Sequence, residues 1–130
     1  VKLLEQPFAR GRERDLEGFG STSPIAADES VQGLADIEGL VGRFDVVNIK
    51  LDKCGGLTEA LEMAATARRL GLGVMVGNMV GTSLAMAPAF ILGQVCDIAD
   101  LDGTIFIVRD RTPAMIFDQG RVYYPDNGWG

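Results

Sequence analysis

The chain has 130 residues, of which 47% are apolar, and a formal net charge of −6, so one domain with a packed core is expected. The acidic balance argues against a nucleic-acid partner or an anionic membrane surface, and no signal peptide or apolar run of membrane-spanning length is seen. Histidine is absent, which excludes histidine-dependent triads and histidine zinc sites. The two cysteines form no CxxC pair, so we expect neither a zinc site nor a disulfide, and a reducing compartment such as the cytoplasm.

Strands and helices are predicted to alternate along the first part of the chain. Strands are predicted over residues 1–4 and 25–28, and the polar, glycine-rich segment between them has room for a short helix near residues 13–19. A helix is then predicted over residues 31–41. Because the first strand has no lead-in, we expect the natural polypeptide to begin before residue 1.

The most informative strand is predicted over residues 45–51, which are rich in β-branched apolar residues. Side chains alternate across a strand, so Asn48 and Lys50 share a polar face, and a Gly55-Gly56 pair follows. Two interpretations of Lys50 stay open. It is a proton-transferring base at the C-terminal end of a parallel barrel strand, or it only extends to solvent at the strand end.

The alternation continues through the middle of the chain. An amphipathic helix is predicted over residues 57–70 and a strand over residues 73–76. Another helix is predicted to start at residues 82–83, and a fifth strand over residues 96–101. Strands that alternate with helices favour a parallel sheet.

Polar side chains mark the ends of the predicted strands at intervals of 22 to 28 residues. A doubly wound open sheet gives similar spacing, but it does not usually place a charged residue at the end of nearly every strand. The pattern therefore favours successive βα units of a barrel that present their polar groups at one rim. These residues are Glu5, Asp28, Lys50, Asn78 and Asp100.

Two pairs of carboxylates are candidate cation sites. Glu5 and Asp28 end adjacent strands and could share Mg2+, which prefers oxygen ligands; a surface charge and a helix cap are the alternatives. Asp100 and Asp102 share a face of the last strand, so they repel unless a cation such as a substrate ammonium group lies between them. The alternative there is a simple turn at Asp102-Gly103.

The tail, residues 104–130, differs in character from the rest. It contains short apolar runs over residues 105–108, 114–117 and 122–124. The turn sequence Asp118-Gln119-Gly120 lies between the last two runs and predicts a hairpin. We expect this antiparallel extension to pack against a part that the chain does not contain.

Short motifs stand at the ends of the five predicted strands. They are Glu5-Gln6-Pro7, Ala27-Asp28-Glu29-Ser30, Asn48-Ile49-Lys50-Leu51 with Gly55-Gly56-Leu57, Gly77-Asn78-Met79, and Asp100-Leu101-Asp102-Gly103. As an ordered set they resemble the enolase superfamily, and most closely its muconate-lactonizing-enzyme subgroup. The last motif resembles the Asp-x-Asp with which dipeptide epimerases hold the α-ammonium group of the substrate. The similarity spans the chain as far as Asn127-Gly128-Trp129-Gly130.

The resemblance implies an α/β fold, the C-terminal part of a TIM-like (β/α)7β barrel with about five parallel strands over residues 1–103. Residues 104–130 would form a β extension that packs on an N-terminal capping domain. The implied activity is that of a Mg2+-dependent racemase or epimerase acting on dipeptides, which abstracts the proton α to a carboxylate through an enolate intermediate. The cation is needed because a lysine with an ordinary pKa of about 10.4 cannot alone ionise so weak a carbon acid.

The resemblance also implies a role for each candidate residue. Lys50 would be the base on one face of the substrate, whereas Lys53 lies beyond the strand end and is not expected to be catalytic. The other assignments are Glu5 and Asp28 as Mg2+ ligands, Glu29 as a group behind them, Asp100 and Asp102 as substrate contacts, and Asn78 and Met79 as pocket residues.

This chain departs from the family pattern in three respects. It lacks the Lys-x-Lys of an earlier strand and the metal-binding Asp of the strand before Glu5, and Gly81 stands where relatives usually carry an acidic residue. Racemisation by two bases needs one base on each face of the substrate. We therefore expect these 130 residues alone to be inactive or very weakly active.

Two alternatives to a dipeptide epimerase remain open. The first keeps the family and changes the reaction to N-acylamino-acid racemisation, o-succinylbenzoate synthesis or cycloisomerisation. The second is a phosphate-binding α/β module, in which the turn over residues 77–82 and the following helix N-terminus would hold an anion. In every case we expect a small-molecule ligand. A homo-oligomer is also expected, because open edge strands invite pairing with another chain.

Overall fold

A computed structural model describes residues 1–128, and its body is a sheet of five parallel strands. Each strand pairs with the next one in the sequence, so the sheet order is β1-β2-β3-β4-β5. This order contains no reversal and therefore differs from a doubly wound sheet, which confirms the barrel-type α/β fold. The strands are β1 (Leu4–Glu5), β2 (Ile25–Ala27), β3 (Val46–Lys50), β4 (Gly73–Gly77) and β5 (Ile98–Ala99).

The two outermost strands are shorter than the sequence indicates. Residues 1–3 lie outside β1, and Glu5 is its last residue instead of following it. β5 covers only two of the six residues predicted, and just before it the Asp97 carboxylate accepts a hydrogen bond from the amide of Val74 at 2.9 Å. Both strands have a neighbour on one side only, so fewer ladder bonds define their ends.

Within residues 1–128, three α-helices and three 3-10 helices lie between and after the strands. The predicted helix over residues 31–41 is wrong in type: residues Leu34–Leu40 form a 3-10 helix. The Asp36 carboxylate accepts the amides of Gln32 and Gly33 at 2.7 and 3.1 Å, which tightens the start of this segment. The α-helices are α1 (Leu51–Cys54), α2 (Leu57–Arg69) and α3 (Ser83–Gly93), and the other 3-10 helices are Glu13–Leu16 and Gly103–Phe106.

The two faces of the sheet differ in composition. Val47 and Ile49 of β3 are fully buried against the helices, together with Ala60, Met63 and Ala64 of α2. The other face buries a small cluster of Ala26, Val46 and Met75, with Leu3 and Ile98 packed against it. The polar candidate residues lie beyond this small cluster, on the same face and toward the C-terminal ends of the strands, as strand alternation predicts.

The tail forms the predicted hairpin, with β6 (Ile116–Asp118) antiparallel to β7 (Arg121–Tyr123). Gln119 and Gly120 both have positive φ, at 47° and 76°, as a two-residue hairpin turn requires. The run over residues 105–108 is not a strand, because residues Gly103–Phe106 form a 3-10 helix. One side of the tail packs on the chain itself, since the rings of Phe90 and Tyr124 lie 5.6 Å apart. Trp129 and Gly130 lie outside the described residues.

No helix within residues 1–128 is long and apolar enough to cross a membrane.

Candidate active site

Strand alternation brings an acidic residue, an amide and a lysine together at the C-terminal ends of β1, β2 and β3. Asn48 Nδ2 donates a hydrogen bond of 2.6 Å to Glu5 Oε1 across the sheet. Lys50 Nζ lies 2.7 Å from Asp28 Oδ2, and both side chains are largely buried, with 14% and 13% of their surface exposed. Glu5, Asp28 and Lys50 are therefore grouped at one rim of the sheet.

A second lysine reaches the same carboxylate. Lys53 Nζ lies 2.7 Å from Asp28 Oδ1 and 2.7 Å from the Asp28 carbonyl oxygen, and its side chain is only 8% exposed. The sequence analysis placed Lys53 beyond the strand end. Its ammonium group returns to the site because β3 turns directly into the four-residue helix α1, which ends at Gly55 with φ +88°.

The charges of this group shift one another's pKa values. Burial by itself would raise the pKa of Asp28, but hydrogen bonds from Lys50 and Lys53 bring the pKa below its usual value. Burial would lower the pKa of Lys50, whereas the hydrogen bond and charge of Asp28 raise it above the usual value. For Lys53 burial has the larger effect, and the pKa is lowered.

The two aspartates of the Asp-x-Asp motif lie beyond the last strand. β5 ends at Ala99, so Asp100 and Asp102 do not share a face of that strand as predicted. Burial and the charge of Asp102 raise the pKa of Asp100, and the charge of Lys50 acts on it in the opposite sense.

Asn78 and Met79 follow β4 at the same end of the sheet. Met79 is 49% exposed and its amide donates to Asp52 Oδ2 at 3.2 Å. Asn78 Nδ2 donates to the Met79 carbonyl at 2.8 Å, and Asn78 Oδ1 is buried without a hydrogen-bond partner. Glu29 is exposed, and its charge contributes to the raised pKa of Lys50.

Gly77 has no side chain, and the side chains of Asn48 and Lys50 occupy the space beside it. A Cβ atom at this position would lie 2.8 Å from Asn48 Oδ1 and 2.9 Å from Lys50 Cε. The sequence analysis did not assign a role to Gly77, Asn48 or Lys53. The sequence feature that pointed to one of these residues is strand alternation, which puts Asn48 on the same face as Lys50.

The oxygen atoms of this rim suit a hard divalent cation. Glu5 and Asp28 offer carboxylate oxygens, and Asn48 Oδ1 is buried without a partner. Residues 1–128 contain no cluster of three or more His, Cys, Asp or Glu side chains that could hold a metal ion. The donor set therefore fits Mg2+ in chemistry and supplies only part of a coordination shell.

The N-terminus of α3 is already occupied by a carboxylate. Asp110 Oδ1 accepts the amide of Ser83 at 2.9 Å, and Asp110 Oδ2 accepts a short hydrogen bond from the Ser83 hydroxyl. A phosphate at this helix end would meet that negative charge. The geometry therefore disfavours the phosphate-binding alternative.

Comparison with known proteins identifies the family. The enolase C-terminal domain-like family matches residues 1–130. The chain belongs to this family. The resemblance drawn from the strand-end motifs is thereby confirmed.

Curated relatives are named as racemases and epimerases. The chain is 44% identical to the N-acetyl-D-glutamate racemase of a Pseudoalteromonas species over 122 residues, which cover 94% of the chain and 39% of the relative. It is 43% identical to the L-Ala-D/L-Glu epimerase of Escherichia coli K12 over 123 residues, which cover 95% of the chain and 38% of the relative. The chain thus spans about two fifths of the length of these relatives.

Solved structures show the same fold. An enolase family member from Agrobacterium tumefaciens with homology to dipeptide epimerases superposes with a TM-score of 0.92 at 47% identity, covering 100% of this chain and 40% of that one. That structure has sodium and L-Ala-L-Glu bound. A dipeptide epimerase from Methylococcus capsulatus, in complex with Mg ion, matches with a TM-score of 0.84 at 34% identity over 94% of this chain and 38% of that one.

Proposed function

We propose that the chain is the C-terminal part of a Mg2+-dependent epimerase that moves the proton α to the carboxylate of a dipeptide. The observation that carries this proposal is the rim on which Lys50 contacts Asp28 and lies within electrostatic reach of Glu5 and Asp100. The relatives support it, because several are named as epimerases of alanyl dipeptides.

Lys50 is the group proposed to move the proton. Paired with Asp28, whose hydrogen bond and charge raise its pKa, Lys50 carries a proton at neutral pH but is a weaker acid than a free lysine. Removal of a proton requires the neutral amine, so Lys50 must first leave the Asp28 oxygen. Mg2+ held by Glu5 and Asp28 would stabilise the negative charge that develops when the α-proton leaves.

The remaining candidates would orient the substrate. The carboxylates of Asp100 and Asp102 would bind its α-ammonium group, because a cation offsets the burial and the Asp102 charge that together raise the Asp100 pKa. Asn78 and Met79 would line the pocket next to them. Glu29 would act through its charge on the two lysines.

The test is α-proton exchange in D2O with Mg2+ and a panel of dipeptides, followed by NMR. We expect exchange from a longer polypeptide that supplies a base for the opposite face of the substrate, and its loss in Lys50→Met. The 130-residue chain alone should be inactive or very weak. Robust exchange by this chain alone, or a Lys50→Met variant as active as the parent, would contradict the proposal.

An N-acylamino-acid racemase is the second candidate, because one relative is named as an N-acetyl-D-glutamate racemase. Replacement of Asp100 or Asp102 by Asn separates the two functions. A substrate with a free ammonium group should lose about tenfold or more in kcat/KM, since a charged hydrogen bond is removed. An acylated substrate should keep its kcat/KM in these variants. Turnover of acylated amino acids with an unchanged kcat/KM would therefore favour the second candidate.

We also propose that residues 104–130 pack on a capping domain and that the protein forms homo-oligomers in the cytoplasm. Ile116, Phe117 and Tyr123 of the hairpin are 60%, 39% and 46% exposed, which supports a further packing partner. The open edges of β1 and β5 support oligomerisation. The free thiols of Cys54 and Cys96 suit a reducing compartment.

A further inference from the structure

Gln6 follows the candidate metal ligand Glu5 and has an unusual backbone conformation. Its φ is +39°, in the left-handed region that residues other than glycine seldom adopt. Such a conformation persists only where the surroundings impose it. Contacts made by Gln6 must therefore offset the free-energy cost of this backbone conformation.

All the hydrogen-bonding capacity of the Gln6 side chain is used. Oε1 accepts the amides of Asp28 at 2.8 Å and Ser30 at 3.2 Å. Nε2 donates to the Phe8 carbonyl at 2.7 Å and to the Ser30 hydroxyl at 2.8 Å. A single amide group thus joins the segment after β1 to the segment after β2.

These bonds connect the two strands where the sheet no longer does. The β1–β2 ladder contains only the pairs Leu4↔Ile25 and Glu5↔Ala26. The last main-chain bond runs from the Gln6 amide to the Ala26 carbonyl at 2.9 Å. Asp28 lies two residues beyond this bond, so the Gln6 side chain is what ties its backbone to the Glu5 strand.

The network is anchored further by the loop before β2. Ser30 is 7% exposed, and its hydroxyl donates to Glu13 Oε1 at 2.7 Å. The same Glu13 oxygen accepts the amide of Gly11 at 2.8 Å. The Gln6 amide is therefore held in one orientation, with its oxygen toward the backbone amides and its nitrogen toward the carbonyl and hydroxyl.

We propose that Gln6 is a positioning residue that sets the placement of the Asp28 carboxylate relative to Glu5. The inference rests on the proposed function only in treating Glu5 and Asp28 as the pair that binds a cation. Groups that orient metal ligands through hydrogen bonds typically change metal affinity by about 10- to 100-fold when removed.

Two variants separate the side-chain bonds from the backbone conformation. Gln6→Ala removes the bonds and keeps the strained φ, whereas Gln6→Gly removes the bonds and relieves the strain. Gln32→Ala is the matched control, because Gln32 Nε2 donates to the nearby Glu29 carbonyl at 3.1 Å on the exposed surface. Far-UV circular dichroism checks that each variant is folded.

The first readout is amide hydrogen exchange at Asp28 and Ser30, measured by NMR without metal. Both Gln6 variants should lose protection at these two amides by about tenfold or more, while Gln32→Ala and the amides of β3 stay unchanged. Unchanged protection at Asp28 and Ser30 would overturn the inference.

The second readout is the affinity for Mn2+ alone, measured by electron paramagnetic resonance as a probe of the Mg2+ site in the longer polypeptide that supplies the remaining metal ligands. Both Gln6 variants should raise the Kd at least about tenfold, and Gln32→Ala should stay within about twofold. Lost amide protection with an unaltered Kd would mean a structural role only and would overturn the inference. If the longer polypeptide with Gln6 unchanged binds no Mn2+, the proposed cation pair fails, and the exchange result alone decides whether Gln6 fixes Asp28.

Discussion

Gly77 shows how a residue without a side chain can define the site. Its Cα faces the space filled by the Asn48 amide and the Lys50 chain, and an added Cβ would approach both within 3 Å. Lys50 is held there by Asp28, so it cannot move aside without losing its ion pair.

Replacing Gly77 by Ala should therefore displace Lys50 from Asp28 and destabilise the chain by about 1–3 kcal/mol, as overpacking does. Urea unfolding gives the stability, and the 15N chemical shift of the Lys50 ammonium group reports the ion pair. Gly39→Ala is the control, because a Cβ at Gly39 meets nothing within 4 Å. Equal effects of the two substitutions would contradict the steric explanation.

Asp28 should make stability depend on pH in the acid range. Its folded pKa is lowered, so its contribution is fully present above the unfolded value of 3.8 and is lost as the pH falls through the folded pKa. Asp28→Asn leaves the two buried lysines unpaired and should be less stable than the parent at pH 6. The difference between the two proteins in free energy of unfolding should narrow below pH 4. A difference independent of pH would count against this role.

At the residue scale, the sequence predicts the grouping of Glu5, Asp28 and Lys50 well. The reason is that parallel strands end at a common rim and side chains alternate. It does not predict Lys53, whose placement depends on a one-turn helix. Nor does the sequence predict the proposed role of Gln6, because that role depends on a positive φ, which a glutamine does not indicate.

At the scale of elements, the contact between α3 and the tail is the most specific. Ser83 is 1% exposed, its amide and hydroxyl both donate to Asp110, and its Oγ accepts the amide of Met115 at 2.8 Å. Asp110 thus caps α3 from the tail and fixes the segment that leads to the hairpin.

Asp110→Ala should remove this cap, destabilise the chain by about 1–2 kcal/mol and expose residues 107–114 to limited proteolysis. Asp110→Asn should be affected less, because its single amide oxygen can still accept the Ser83 amide, although the bond from the Ser83 hydroxyl to Oδ2 is lost. Asp118→Ala in the exposed hairpin is a second control. Proteolysis of Asp110→Ala at the parent rate would show that other contacts hold the tail.

Long, strongly patterned elements are predictable from sequence here, and short ones are not. α2 was predicted over residues 57–70 and spans Leu57–Arg69, because its apolar residues recur at helical spacing. The segments that became 3-10 helices, Leu34–Leu40 and Gly103–Phe106, are too short for that period to distinguish helix types. Their geometry is set by local hydrogen bonds and by neighbouring glycines.

At the scale of the whole chain, the sheet formed within residues 1–128 has two edges without a neighbouring strand. Leu4 and Gln6 donate their amides to the carbonyls of Pro24 and Ala26, so the intervening amide of Glu5 faces away from the sheet. β5 pairs with β4 alone. Backbone groups on such edges are available to another chain.

We expect the chain to dimerise as its concentration rises, through one of these edges. Sedimentation velocity across a hundredfold concentration range should show the change in mass, and amide exchange at Glu5 should slow in the dimer if β1 is the edge. A single monomeric species throughout that range would refute the expectation. Protection confined to the hairpin would instead implicate β6 and β7.

The two sides of the sheet are buried to different extents, and this difference bears on which strand positions can change during evolution. Within residues 1–128, the larger buried cluster is the helix-covered layer around Val47, Ile49 and α2, and the reverse layer buries Ala26, Val46 and Met75. Glu5 and Asp100, which lie beyond this reverse layer, are exposed, so their substitution forfeits little apolar burial. The polar ends of the strands can therefore vary while the helix-covered layer keeps the chain folded.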